Sequence, residues 1–73
     1  MDKLRRERES RGWSYKDAAK LIGISKPFYW QLENEKRNFT YELAIRVALV
    51  FQTTPDELLY QDVIKRLKRE HRL

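Results

Sequence analysis

The sequence predicts an all-α fold of five helices, and three observations carry that reading. No segment alternates apolar and polar residues with the period of a strand, Gly, Pro or polar breakers fall every ten to fifteen residues, and most segments between breakers open on a Ser, Thr or Asp placed to cap a helix. The chain has 73 residues, enough for one domain. A domain of that size hides only ~60% of the surface its unfolded chain exposes, so its stability margin is thin and self-association would help.

The first helix is expected from about Asp2 to Arg11, with Asp2 as N-cap and Gly12 as the left-handed residue that ends it. Leu4 and Arg8 share a face, so Arg8 points inward and requires a carboxylate, because an unpaired buried charge is too costly. Ser14 and Asp17 resemble a capping box, with Asp in place of the preferred Glu, and open a short helix through Ile22 in which Ala18 and Ala19 allow another helix to approach closely. Gly23 breaks that helix and Ile24 plugs the core from the turn. Ser25 then caps a third helix, about Lys26 to Asn34, with Pro27 in the first turn where its missing N–H costs nothing.

The loop from Glu35 to Phe39 is polar and basic. Thr40 caps a fourth helix whose Leu43, Ala44, Val47, Ala48, Val50 and Phe51 recur at helical intervals, which makes it the most buried element. Thr54-Pro55-Asp56-Glu57 combines an N-cap, a Pro at the first helical position, acidic residues for the dipole and a Glu that completes a capping box. From there Leu58, Leu59, Val63, Ile64 and Leu67 define a fifth helix that either runs well past Leu59 or breaks near Gln61, ahead of a short C-terminal helix. Residues 1–59 then form the main domain and 60–73 a basic amphipathic helical extension.

Composition excludes several classes of function. Without Cys, and with one isolated His71, the chain has no disulfide, thiolate zinc site or expected metal. No apolar run approaches the ~20 residues of a membrane span, and MDKLRRERES lacks the apolar core of a signal peptide, so a cytoplasmic protein without a membrane partner is expected. No Gly-rich phosphate loop and no paired carboxylates in a cleft suggest an enzyme, a cofactor is not expected, and no ligand-sensing domain fits. A net charge of +5 and a pI near 9.7 favour a polyanionic partner, although basic termini also occur on proteins that bind nothing.

Two short helices joined by a Gly-containing turn form a helix-turn-helix unit, whose second helix enters the major groove. Here Ala19 permits the close crossing and Gly23 turns the backbone. Ile24, Tyr29 and Leu32 face the core, which leaves Lys26, Pro27, Trp30, Gln31 and Asn34 outward. Arg8, Gly12, Ser14, Ala19, Gly23-Ile24-Ser25, Leu32-Glu33-Asn34, Lys36-Arg37, Ala48 and Phe51 stand in one joint register. In that register the chain resembles the phage repressor and Cro-type, or Xre-like, helix-turn-helix family from about Leu4 to Leu59.

The resemblance implies a structural ion pair between Arg8 and Glu33, base reading by Lys26, Pro27 and Gln31, and backbone contacts by Tyr15, Asn34, Lys36 and Arg37. Phe28 joins the backbone set and Trp30 the base-reading set. Gln31 suits adenine N6 and N7, and Lys26 suits guanine O6 and N7. Three positions depart from the family pattern: Tyr15 replaces a Gln that braces the recognition helix, Glu35 the usual Gly and Phe39 a common Pro. Phe28 and Trp30 make this recognition helix unusually bulky.

The implied function is a sequence-specific transcriptional regulator of prokaryotic or phage type. It binds double-stranded DNA as a homodimer on a near-palindromic operator, dimerises through Leu59, Val63 and Leu67, and is controlled by concentration, a regulatory protein partner or proteolysis. The alternative is a protein-binding module on the same fold, antitoxin-like or anti-repressor, that grips its partner with Phe28 and Trp30. Trp30 accordingly has three readings: contact with a thymine methyl or sugar, contact with a partner protein, and idle exposure. Trp13 and Tyr29 are assigned to the core, Tyr41 and Phe39 to its loop end, and Arg5, Arg6 and Arg11 to a solvated helix face. Lys65, Arg66, Lys68, Arg69 and Arg72 form a solvated face, a dimer flank or a DNA-contacting extension.

Overall fold

Side-chain caps set where the helices begin. The computed structural model describes residues 1–70, so His71 and Arg72 lie outside the described residues. It comprises α1 (Asp2–Ser10), α2 (Tyr15–Ile22), α3 (Lys26–Glu33), α4 (Tyr41–Val50) and α5 (Pro55–Arg69), with no strand among the described residues. The Ser14 hydroxyl accepts from the Asp17 amide and the Asp17 carboxylate accepts from the Ser14 amide, each at 3.0 Å, closing the expected capping box. Ser25, Thr40 and Thr54 each accept from the amide three residues on, at 3.2, 3.1 and 3.1 Å.

Two starts differ from expectation. α1 is capped by the Met1 backbone without a side-chain bond, and Asp2 lies inside its first turn, where a negative charge still complements the helix dipole. At α5 the reciprocal half of the box is missing, because the Glu57 carboxylate accepts instead from the Thr53 hydroxyl at 2.8 Å. A hydroxyl donor one residue upstream takes the place of the Thr54 amide. α5 itself is one helix to Arg69, without a break at Gln61.

The ends of α1 to α4 share one device. In each, an amide reaches back across six residues: Trp13 to Arg8 at 3.2 Å, Ile24 to Ala19 at 3.0 Å, Lys36 to Gln31 at 2.8 Å and Thr53 to Ala48 at 2.9 Å. The residue before each of those amides is left-handed: Gly12, Gly23, Glu35 and Gln52, with φ of 69, 88, 59 and 57°. Gly23 is doubly constrained, since a Cβ there would lie 2.7 Å from Arg46 Nη2, which donates to the Ile22 carbonyl at 2.7 Å and closes the end of α2.

α2 packs on α3 and α4, α4 on α5, and α1 on both α3 and α5. Their apolar faces meet in one core that includes Leu4, Ala18, Tyr29, Leu32, Val47, Phe51 and Leu58. Ile24, Phe39 and Trp13 pack against it as expected, each partly buried, with the Trp13 ring centre 5.4 Å from that of Phe51. Tyr41 does not cover the core: it is 81% exposed, because the first turn of α4 directs Leu43 and Ala44 inward in its place.

Candidate nucleic-acid interface

The second helix of the motif is fixed from behind by charge. Arg8 Nε and Nη2 donate to the two carboxylate oxygens of Glu33, each at 2.9 Å, and Arg8 Nη1 donates to the Trp13 carbonyl at 2.9 Å. Glu33 is 0% exposed, so the fork-on-fork pair satisfies both charges away from water, as the inward face of α1 demanded. Burial is the largest single influence on the Glu33 carboxyl and raises its pKa, but the hydrogen bonds and charge of Arg8, with Tyr29 and Arg5 beside it, together outweigh burial and hold the group below the usual carboxylate range. The Tyr29 hydroxyl lies against the same carboxylate, near enough to favour its charged form yet without a formed hydrogen bond. Burial, and then that negative neighbour, push the phenol well above its ordinary pKa.

Arg5 joins this anchor. Its guanidinium donates to Glu33 Oε1 and to Asn34 Oδ1, both at 3.4 Å, so it is more than part of a solvated face. The available signal was spacing, since Arg5 precedes Arg8 by three residues and shares its side of α1. Arg11 also has fixed partners, donating to the Glu7 carboxylate at 2.7 Å and to the Phe51 carbonyl at 2.8 Å.

With its C-terminal end held, α3 presents Lys26, Pro27 and Trp30 to solvent, with Gln31 half-buried beside them. Trp30 is 42% exposed. Lys36 and Arg37 follow on the exposed loop. The remaining residues assigned to the backbone set are more enclosed. The Asn34 amide donates to the Trp30 carbonyl at 3.0 Å, and Tyr15 is half-buried between the Arg8 guanidinium, 4.3 Å from its ring centre, and the Tyr29 ring, at 6.2 Å. Phe28 is half-buried on the core and carries the Arg37 guanidinium 4.7 Å above its ring. Sequence reasoning had no signal for that stack, which depends on how the loop returns.

Glu35 stands in this loop at a position whose φ of 59° suits glycine. Its charge also lies near Asp62 of α5, whose Oδ2 is buried without a hydrogen bond. Burial raises the Asp62 carboxyl above its ordinary pKa, and Glu35 adds to the shift. Left-handed backbone costs an L-residue ~1 to 2 kcal/mol, of which the extra flexibility of glycine returns about 0.5 to 1. Glu35→Gly is therefore expected to stabilise the fold by about 0.5 to 1 kcal/mol, roughly 2 to 8 °C in thermal unfolding. An unchanged or lower midpoint would sink this account of the loop.

Away from α3, Leu59 and Leu67 are half-buried along α5 with Val63 exposed between them, and Tyr60 and Tyr41 are exposed nearby around a shallow apolar groove. Arg66 donates to Asn38 Oδ1 at 3.5 Å, tying α5 to the loop after α3. Among the described residues no group of His, Asp or Glu is arranged to hold a metal, and no helix is long and apolar enough to cross a membrane.

A helix-turn-helix family model matches residues 4–58. The chain is also 37% identical, over 59 residues, to the HTH-type transcriptional regulator AnsR of Bacillus subtilis (strain 168). That alignment covers 81% of this chain and 51% of the relative, so the chain spans about half the length of the protein it matches. No solved structure matches the chain.

Proposed function

Because the chain belongs to the helix-turn-helix family, in its Cro/C1-type, Xre-like branch, we propose that it is a sequence-specific DNA-binding transcriptional regulator. It binds a near-palindromic operator as a homodimer, with α3 in the major groove. The observation that carries the reading is the anchored α3: the Arg8–Glu33 pair fixes its C-terminal end, while Lys26, Pro27, Trp30 and Gln31 face outward beside Lys36 and Arg37. Residues near the N-terminus of a recognition helix reach base edges, and loop cations fix register on phosphates without reading sequence. The regulator AnsR, similar over most of this chain, supports the same reading.

Dimerisation is proposed through the α5 face that carries Leu59, Val63 and Leu67, beside Tyr60 and Tyr41. Large apolar side chains in open water on a small domain favour a covering partner, and a second copy would set two α3 helices about one helical turn, ~34 Å, apart.

Selection of bound duplexes from a random pool tests the proposal. A palindromic consensus is expected. Gln31→Ala is expected to relax one position per half-site, while Lys36→Ala weakens binding to all sequences and flattens the dependence of log affinity on log salt by about one unit. If no duplex is enriched at moderate salt and the chain instead binds a protein through Trp30, the module is a protein-binding one. Phe28, half-buried with the Arg37 guanidinium 4.7 Å above its ring, presents less surface to such a contact than the exposed Trp30.

A further inference from the structure

The side chain best placed to read a base is already engaged by its neighbour. Arg37 Nε donates to Gln31 Oε1 at 3.0 Å. A guanidinium only donates, so the amide oxygen and not the nitrogen must face it, which fixes an orientation that side-chain amides otherwise leave open. Oxygen and nitrogen occupy separate arms of the amide, so Nε2, with its two donors, is turned away from Arg37. Arg37 in turn has a platform, its guanidinium 4.7 Å above the ring of half-buried Phe28. Stacking on a ring held by the core restrains a long side chain that water would leave mobile.

We infer that Arg37, held by Phe28, is a specificity-determining positioning residue that makes Gln31 a donor-only reader and selects guanine over adenine at the base pair Gln31 meets. The inference rests on the placement of α3 in the major groove. An unrestrained Gln pairs with adenine by accepting from N6 and donating to N7. With its oxygen drawn to a cation, the amide would set its own N–H groups against the N6 donors of adenine. Guanine offers acceptors at both N7 and O6, so the same amide donates to it without conflict. The adenine preference read from the residue type alone thus gives way to guanine.

The test is duplex selection from a random pool with the whole chain, comparing the native protein, Arg37→Met, Phe28→Leu and Gln31→Ala. The native chain is expected to enrich guanine over adenine about tenfold at one position of the site. Arg37→Met keeps an unbranched stem but has no donor, and is expected to shift that position alone to adenine. Phe28→Leu keeps an apolar side chain on the core without the ring, and is expected to give an intermediate preference. Gln31→Ala should abolish the preference there.

If the native chain enriches adenine, or if Arg37→Met weakens all duplexes alike with the guanine preference intact, Arg37 is a phosphate contact only. The inference then falls while the placement of α3 stands. If Gln31→Ala leaves every position unchanged, or no duplex is enriched, the placement of α3 fails and the inference falls with it.

Discussion

Replacing Arg8 with methionine is expected to lower folding stability by about 3 to 5 kcal/mol, most of what a core of this size supplies. The loss does not measure the worth of the ion pair. It is the penalty of leaving the Glu33 carboxylate at 0% exposure without the fork that now holds both its oxygens at 2.9 Å. Arg5, at 3.4 Å and partly in solvent, cannot replace that fork. The double variant Arg8→Met, Glu33→Met removes the orphaned charge and is expected to recover most of the loss, since exchanging a buried pair for well-packed apolar groups is often close to neutral. Urea unfolding of the two variants and the native chain decides the matter. A double variant as unstable as the single one would contradict this account.

The pH dependence of the two proteins should run in opposite directions. In the native chain the Glu33 carboxyl sits below its usual pKa, so its contribution is complete above the unfolded value of about 4.3 and is lost as pH falls through the lower folded value. In Arg8→Met the same carboxyl is buried without its main partner, its folded pKa rises, and acidification toward the unfolded value is expected to restore stability.

Phe51→Ala is the second large effect, with an expected cost of about 3 to 5 kcal/mol in the same unfolding experiment. Phe51 is 1% exposed at the end of α4, against the half-buried Trp13 ring and with the Arg11 guanidinium 5.3 Å from its centre. Its carbonyl also accepts from Arg11 at 2.8 Å. Truncation leaves a cavity and removes a support of that cation, so α1 loses part of its hold on α4. Phe51→Leu should recover a substantial part, and a loss below about 1 kcal/mol for the alanine variant would show that the site collapses without harm.

The parts of this molecule legible in sequence are those governed by local or strongly obligatory chemistry. Ser14, Ser25, Thr40 and Thr54 cap helices because a hydroxyl three residues from an unsatisfied amide acts within one turn. The inward Arg8 announced its need for a carboxylate because a buried cation has few other solutions. The parts that were not legible depend on where a loop returns. Glu35 and Gln52 take left-handed backbone that only the cooperative helix endings explain. Arg37 meets Phe28 and Gln31 across the α3 terminus, and Arg5 reaches Asn34 and Glu33 from another helix. Tyr41 shows that period alone does not place a first-turn residue: it continues the apolar pattern of α4 yet stands in water.

The anchoring of α3 has a consequence for the thermodynamics of association. A helix displayed on a surface would ordinarily fluctuate, and ordering it on contact would subtract from affinity. Here the last residue of α3 is tied to the interior of the molecule, and the Gln31 amide is restrained by Arg37, so much of that disorder has already been removed when the chain folds. On the proposed placement of α3 in the major groove, docking would resemble the meeting of two preformed surfaces. Mutations that loosen Arg8 would tax recognition even at temperatures where the domain remains folded, through the entropy of a helix that must be immobilised anew at each encounter.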